Sequence, residues 1–232
     1  MSLILIIKRT IMNSDFLNEV LMYIEFNISD ALLAEDSANF ITTIYGKIFM
    51  GYDETKRHVG DIEATYIDIE SAINNGCPLF QVFDQLTQEL CDYYKALFLP
   101  TGAIYKYIVN NELDFDWPES FDNLLLINRV RIYPHFRGKQ YGLAAILRTI
   151  QKFGPACQFA ILEVKPLQFA PEAQDYPTMK LEQLAANEKQ ATMKLKDHYA
   201  KMGFESIPDS NLMLFNRLYK QPSLEEIGFI DE

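Results

Sequence analysis

Apolar and polar positions along this chain change period several times, and each change marks an element. A short apolar run at residues 3–7 predicts a first strand. Helical spacing predicts helices near residues 15–23 and 30–43, and compact apolar runs predict strands at 47–52 and 63–69. The clearest stripe of this half is Leu79, Val82, Phe83, Leu86, Leu90, Tyr93 and Leu97, which predicts one helix over 78–98 with its aromatic members in the core. Pro78 suits the first helical turn, and Pro100 lies just past the end. An acidic, aromatic loop at 110–122 holds the single tryptophan, Trp117, and leads into an apolar strand over 124–132. Leu143, Ile146, Leu147, Ile150 and Phe153 then repeat at helical spacing. Residues 158–165 predict a strand that Pro166 ends, and Leu195, Tyr199 and Met202 share one face of a further helix that Gly203 is placed to close. A last strand is predicted at 211–218, and residues from 221 on read as an acidic tail. No linker-like tract or internal repeat divides the chain, so the pattern predicts one domain, 1–232, with insertions.

The most informative stretch is Ile132-Tyr-Pro-His-Phe-Arg-Gly-Lys-Gln-Tyr-Gly142. A strand ends at Pro134, a basic turn punctuated by Gly138 and Gly142 follows, and a helix opens. Such a junction offers free backbone N–H groups and a partial positive charge, which is a phosphate cradle in outline. It is neither a P-loop, which needs G-x-x-x-x-G-K-[ST], nor a dinucleotide fingerprint, which needs G-x-G-x-x-G after a first strand.

The segment resembles motif A of the GCN5-related N-acetyltransferases, [QR]-x-x-G-x-[GA]. Arg137 fills the first position and Gly142 the last, while Gln140 stands where the middle glycine is usual. Two more segments follow in family order. Leu162-Glu163-Val164 matches the Leu-Glu-Val of the next strand, and Tyr199-Ala-Lys-Met-Gly203-Phe204 matches the Y-x-K-x-G-F that ends motif B. The resemblance covers about residues 124–218. It departs from the family at Thr192 and Leu195, where Asn and Ala are usual, and in a long link over 166–187 that predicts an extra helical turn around Met179, Leu181 and Leu184.

The resemblance implies an α+β fold: a mixed, mostly antiparallel twisted sheet with helices on both faces. The core would be 124–218, with a variable N-terminal half over 1–123 and a tail over 219–232. It implies acetyl-CoA as co-substrate and a primary amine of a small molecule or peptide as acceptor. The main chain at Val130 and Ile132 would pair with the pantetheine arm. The turn Arg137, Gly138, Lys139, Gln140, Tyr141 and Gly142 would hold the pyrophosphate. Tyr199 would protonate the departing thiolate, a role open to a phenol whose ordinary pKa of about 10 keeps its proton at neutral pH. Glu163 is the candidate general base. A carboxylate from the 110–122 loop, or no side-chain base, stays open beside it. A non-catalytic acyl-CoA-binding module is the alternative to an enzyme.

Composition narrows the setting. The chain is 49% hydrophobic and 23% charged, ample for a sizeable core. A net charge of −11 argues against nucleic acid and is compatible with a cationic acceptor. Three scattered cysteines without a C-x-x-C predict a reducing, cytoplasmic setting. No run approaches a membrane span, and residues 3–7 are too short for a signal sequence. No His/Cys/Asp grouping has metal-ligand spacing, and His58, His135 and His198 read as incidental. Transfer within a ternary complex is expected, and a homodimer stays open.

Overall fold

The computed structural model describes residues 2–8, 21–29, 37–51, 55–84, 87–111, 123–170, 173, 179–181, 184, 187–217 and 220–229. Four strands come first: β1 (Ser2–Lys8), β2 (Leu21–Ser29), β3 (Ile41–Met50) and β4 (Arg57–Ile67). Four helices follow without an intervening strand: α1 (Ile69–Asn74), α2 (Leu79–Phe83), α3 (Gln88–Phe98) and α4 (Ala103–Asn110). Then come β5 (Asn123–Ile132), α5 (Tyr141–Phe153), β6 (Cys157–Glu163), α6 (Glu188–Ala200), β7 (Glu205–Ser206) and β8 (Leu212–Asn216).

The strands make one eight-stranded open sheet in the order β1-β2-β3-β4-β5-β6-β8-β7. Only β5 and β6 run parallel; every other pair is antiparallel. That single parallel step follows from connectivity, because α5 carries the chain from the end of β5 back to the start of β6. The fold is thus α+β, with a mixed, mostly antiparallel sheet.

Two apolar layers hold the helices to the sheet. Leu125 and Ile127 of β5 face α5, with Leu143, Ile146, Leu147 and Ile150 buried against them. Leu124 and Leu126, their alternating neighbours, face the other layer with Phe83, Leu90, Leu97 and Ile104 of α2 to α4. Both faces of β5 are therefore covered over residues 124–127, which is why those four residues are a continuous apolar run. Each fully buried Leu, Ile or Phe here contributes about 1.5–3 kcal/mol of transfer free energy.

Several predicted elements are corrected. Residues 21–23, read as the end of a helix, belong to β2, where Met22, Ile24 and Phe26 are buried at the two-residue period of a strand. Residues 37–43, read as helical, form a 3₁₀ turn at Ser37–Phe40 and the start of β3. The rest of those two predicted helices lies outside the described residues. Ile69, placed in a strand, begins α1, because the Asp68 carboxylate accepts from Ser71 N at 2.9 Å and caps a helix there. The long helix over 78–98 is two. α2 ends at Asp84, and Thr87 Oγ1 caps α3 by accepting from Leu90 N at 3.3 Å. Residues 221–229 are not a solvated tail, since Ile227 and Phe229 are buried in the α5 layer. The Trp117 loop and Tyr176-Pro177-Thr178 lie outside the described residues. Among the described residues no helix is long and apolar enough to cross a membrane.

Candidate functional site: a split sheet between two clefts

β5 is paired along its whole length on one side and along only half of it on the other. Against β4 the ladder runs from Ile67↔Leu124 to Gly60↔Ile132. Against β6 it runs from Asn123↔Cys157 to Ile127↔Leu162 and stops. Residues 128–132 therefore present a sheet edge to a gap, and an extended ligand with amide groups can add to such an edge as a further strand. A β-bulge sits where the strands part. Glu63 pairs with Arg129 and Ala64 with Ile127, leaving Asn128 as the extra residue. Asn128 Nδ2 donates to Thr65 Oγ1 at 3.0 Å, while its Oδ1 is buried without a partner among the described residues.

Beyond the gap, Pro134–Phe136 forms a 3₁₀ turn, and the backbone becomes left-handed twice before α5 opens. Gly138 has φ +79° and nothing within 4 Å of where a Cβ would stand. Gln140, the residue before α5, has φ 58° and ψ 14°. That conformation explains why a glycine is usual at this motif position: for an L-residue it costs about 1–2 kcal/mol. The turn keeps its shape with Gln140 in it. α5 has no side-chain cap, unlike α3 and α6. Consequently the N–H groups of Gly138, Lys139, Gln140, Gly142 and Leu143 have no acceptor among the described residues. Gly138, Lys139, Gln140 and Gly142 reach the surface, and amide donors at a helix N-terminus are what a pyrophosphate needs.

These donors face a groove of about 410 Å³ between α5 and α6. Val130, Ile132, Gly142 and Ile146 form one wall, and Ala191, Lys194, Leu195, His198 and Tyr199 form the other. Pro166, Leu167 and Met179 of the long link roof it. A Cβ on Gly142 would stand 3.5 Å from Val130 Cγ1 and 3.6 Å from Ile132 Cγ1, so the start of α5 lies close on the end of β5. Three cations line the groove, Arg137, Lys165 and Lys194, with the His198 ring beside them, and among the described residues no carboxylate does. Burial, and secondarily the charge of Lys201, holds His198 below the usual imidazole pKa. Arg137 was expected to lend its charge to a phosphate. Its guanidinium is instead tied to two carbonyls, with Nη2 donating to Met179 O at 2.6 Å and Nε to Ile132 O at 3.1 Å. It ties Met179 to the end of β5.

A second cleft, of about 920 Å³, opens on the other side of the gap. Asn128, Arg129, Glu163, Thr192, Glu89 and Tyr93 are among its walls. Val130, Lys165 and Tyr199 line both spaces. Tyr199 is half-buried on α6, and burial pushes its phenol up to about 12, so it holds its proton throughout the neutral range. Its hydroxyl has no hydrogen-bond partner among the described residues. Glu163 lies in the second cleft, with Lys165 Nζ at 2.7 Å from its Oε2 and 3.1 Å from Glu89 Oε1. Burial opposes the charge on Lys165, yet its hydrogen bonds to Glu163 and Glu89 hold its pKa above the ordinary value.

The structure thus gathers Val130, Ile132, Arg137, Gly138, Gln140, Tyr141, Gly142 and Tyr199 around one groove, with Lys139 at its exposed rim. Glu163 is across the gap, in the second cleft. Sequence reasoning missed the bulge at Asn128, which has no residue-level signature. His198, read as incidental, lines the groove beside Tyr199. Lys194 was legible, being four residues from His198 and thus on the same helix face. No protein-family model, no curated protein and no solved structure matches this chain.

Proposed function

We propose that this protein is an acetyl-CoA-dependent N-acetyltransferase of the GCN5-related type, working by direct transfer in a ternary complex. One observation carries the reading: the half-paired edge of β5 runs from a turn of unsatisfied amides to a point where Tyr199 is shared by two clefts. Acetyl-CoA has the matching sequence of parts. Its pyrophosphate meets the amides of the Gly138–Leu143 turn. Its pantetheine amides extend along Val130 and Ile132. Its thioester then falls at the gap, beside Tyr199.

The amine attacks from the second cleft, and its lone pair forms a C–N bond to the thioester carbon. Charge builds on the carbonyl oxygen, which a hydrogen-bond donor at the gap would stabilise. The C–S bond breaks, and the sulfur takes the Tyr199 proton as the electron pair departs with it. The proton lost by the amine goes to Glu163 or to water in the open cleft.

Calorimetry with acetyl-CoA, together with CoA release measured by a thiol reagent over a panel of amines, tests this. Micromolar binding and amine-dependent release are expected. Binding without release by any amine would leave a CoA-binding module, and no binding would overturn both.

A further inference from the structure

The segment beyond β8 is built as a self-contained knob. Ser223 and Glu226 cap each other: Ser223 N donates to Glu226 Oε2 at 2.7 Å, and Glu226 N donates to Ser223 Oγ at 3.1 Å. Ile227 N then closes a single helical turn on Ser223 O at 3.3 Å. Gly228, at φ +72°, ends it. Its N–H donates to Glu225 O at 2.8 Å, and Phe229 N donates to Leu224 O at 2.9 Å. That pair of bonds needs a left-handed residue between the turn and Phe229, which the glycine supplies. Residues 223–229 are thus closed at both ends.

Nothing polar ties this knob to the body. Lys220 adds an ion pair at 2.8 Å, again to Glu226. Among the described residues, every hydrogen bond and ion pair of residues 220–229 closes within the segment. Apolar contact alone holds it, through Ile227 and Phe229, which are 1% and 2% exposed in the α5 layer.

The knob lands behind the amide turn. Phe229 packs its ring 6.0 Å from that of Tyr141, the buried first residue of α5. The Tyr141 hydroxyl donates to Met50 Sδ of β3 at 3.6 Å. So β3 holds this ring at its hydroxyl, and the knob packs against the ring itself. The second contact is with Gln140, which lines the groove: a Cβ on Gly228 would stand 3.9 Å from Gln140 Cγ. Gln140 and Tyr141 lie in the middle of the run of amides without acceptors, and the left-handed backbone of Gln140 needs surroundings that hold it.

We propose that the 223–229 knob is a positioning element for the amide turn, with Phe229 as its positioning residue, acting through Tyr141 and Gln140. Its effect on binding rests on the acetyl-CoA reading of the groove; its effect on the turn does not. With the knob docked, the amides converge before a ligand arrives. With it undocked, they must be ordered on binding, and the apparent affinity falls with the fraction of competent molecules. Linkage makes the effect mutual, so an anion on the amides tightens the docking of the knob. Gln140 gains a use in this arrangement, since a glycine there would bring no side chain to the knob.

Amide hydrogen exchange of the free protein and calorimetry with acetyl-CoA test this in Phe229→Ala, with Phe229→Leu as the conservative rescue. Gly228→Ala is a second variant, which meets no clash but puts an L-residue at φ +72° and strains the closure of the knob. Ala144 N, the first bonded amide of α5, donates to Gln140 O at 3.0 Å. In Phe229→Ala it should exchange about tenfold faster, while the amides of β3 and β4 keep their wild-type rates. Acetyl-CoA should bind about tenfold more weakly, a difference of roughly 1.4 kcal/mol, and its KM should rise by the same factor with kcat held. Phe229→Leu should recover most of both losses, and Gly228→Ala should show a few-fold loss of each. In the wild type, acetyl-CoA should slow exchange at Gly228 N and Phe229 N. Unchanged exchange at Ala144, or a rise spread evenly over the sheet, would overturn the proposal. So would equal acetyl-CoA affinity in the wild type and Phe229→Ala. If Phe229→Ala does not fold, Gly228→Ala decides by the same readings. If the wild type binds no acetyl-CoA, the acetyltransferase reading fails by itself, and exchange at Ala144 alone decides the positioning role.

Discussion

The groove between α5 and α6 and the cleft behind it share a wall, yet their linings differ in sign. The groove has Arg137, Lys165 and Lys194 and, among the described residues, no carboxylate. The cleft has Glu63, Glu89, Glu163 and Glu188 against Arg129 and Lys165. With a chain net charge of −11, a carboxylate-free groove is the less expected of the two. The difference teaches that polarity is organised about the gap, with lysine and arginine on one side and mostly carboxylates on the other. The shared residues Val130, Lys165 and Tyr199 are where the two ligands would meet.

The sharpest way to break the comparison is at that shared wall. Tyr199→Phe keeps the ring and removes the proton. A general acid contributes about 10²–10⁴-fold, so kcat should fall by about that factor, while calorimetry finds acetyl-CoA affinity nearly unchanged. An unchanged kcat would strip the shared wall of its chemical role.

A smaller effect is expected in the turn. Gln140→Gly relieves a left-handed L-residue and removes a buried, unpartnered Oε1. Stability in urea should rise by about 1 kcal/mol. No gain would mean that the turn is not strained, and the contrast with the capped starts of α3 and α6 would lose its energetic meaning.

Next is the sign of the groove itself. Lys194 is exposed on α6, so Lys194→Ala should weaken acetyl-CoA binding only a few-fold, and less as salt rises. Equal weakening at low and high salt would point to lost packing and not to charge.

The smallest effect is a pH dependence of stability. Tyr199 has its pKa raised from 10 to about 12 by burial. Between those values the unfolded chain has released this proton and the folded one has not. Stability therefore falls as pH rises through that window, and it is unaffected by this group below pH 10. Thermal melts should show a shallower alkaline loss for Tyr199→Phe than for the wild type.

Much of the site could be read from the sequence because its parts are local. β5, α5, β6 and the α6 face carrying Leu195 and Tyr199 follow from apolar period and punctuation by Pro134, Gly138 and Pro166. The errors fall where neighbours decide. Met22, Ile24 and Phe26 do alternate, but a segment of nine residues needs β1 and β3 beside it to be a strand. The break at Thr87 was legible as a capping residue and was overridden by a stripe whose period continues across it. The parting of β5 from β6 at Ile127 and Leu162, and the meeting of α3 carboxylates with Glu163, arise only from tertiary assembly. So does the part played by residues 221–229, whose acidic surface residues masked two buried aromatic and aliphatic anchors.

Those last residues also set an order of events during synthesis. Phe229 packs 6.0 Å from Tyr141, ring centre to ring centre, and a Cβ on Gly228 would stand 3.9 Å from Gln140 Cγ. The back of the amide turn is therefore supplied by chain that leaves the ribosome long after the turn itself, a delay on the order of ten seconds at ordinary elongation rates. A nascent chain would carry the whole sheet before it carried a finished binding turn.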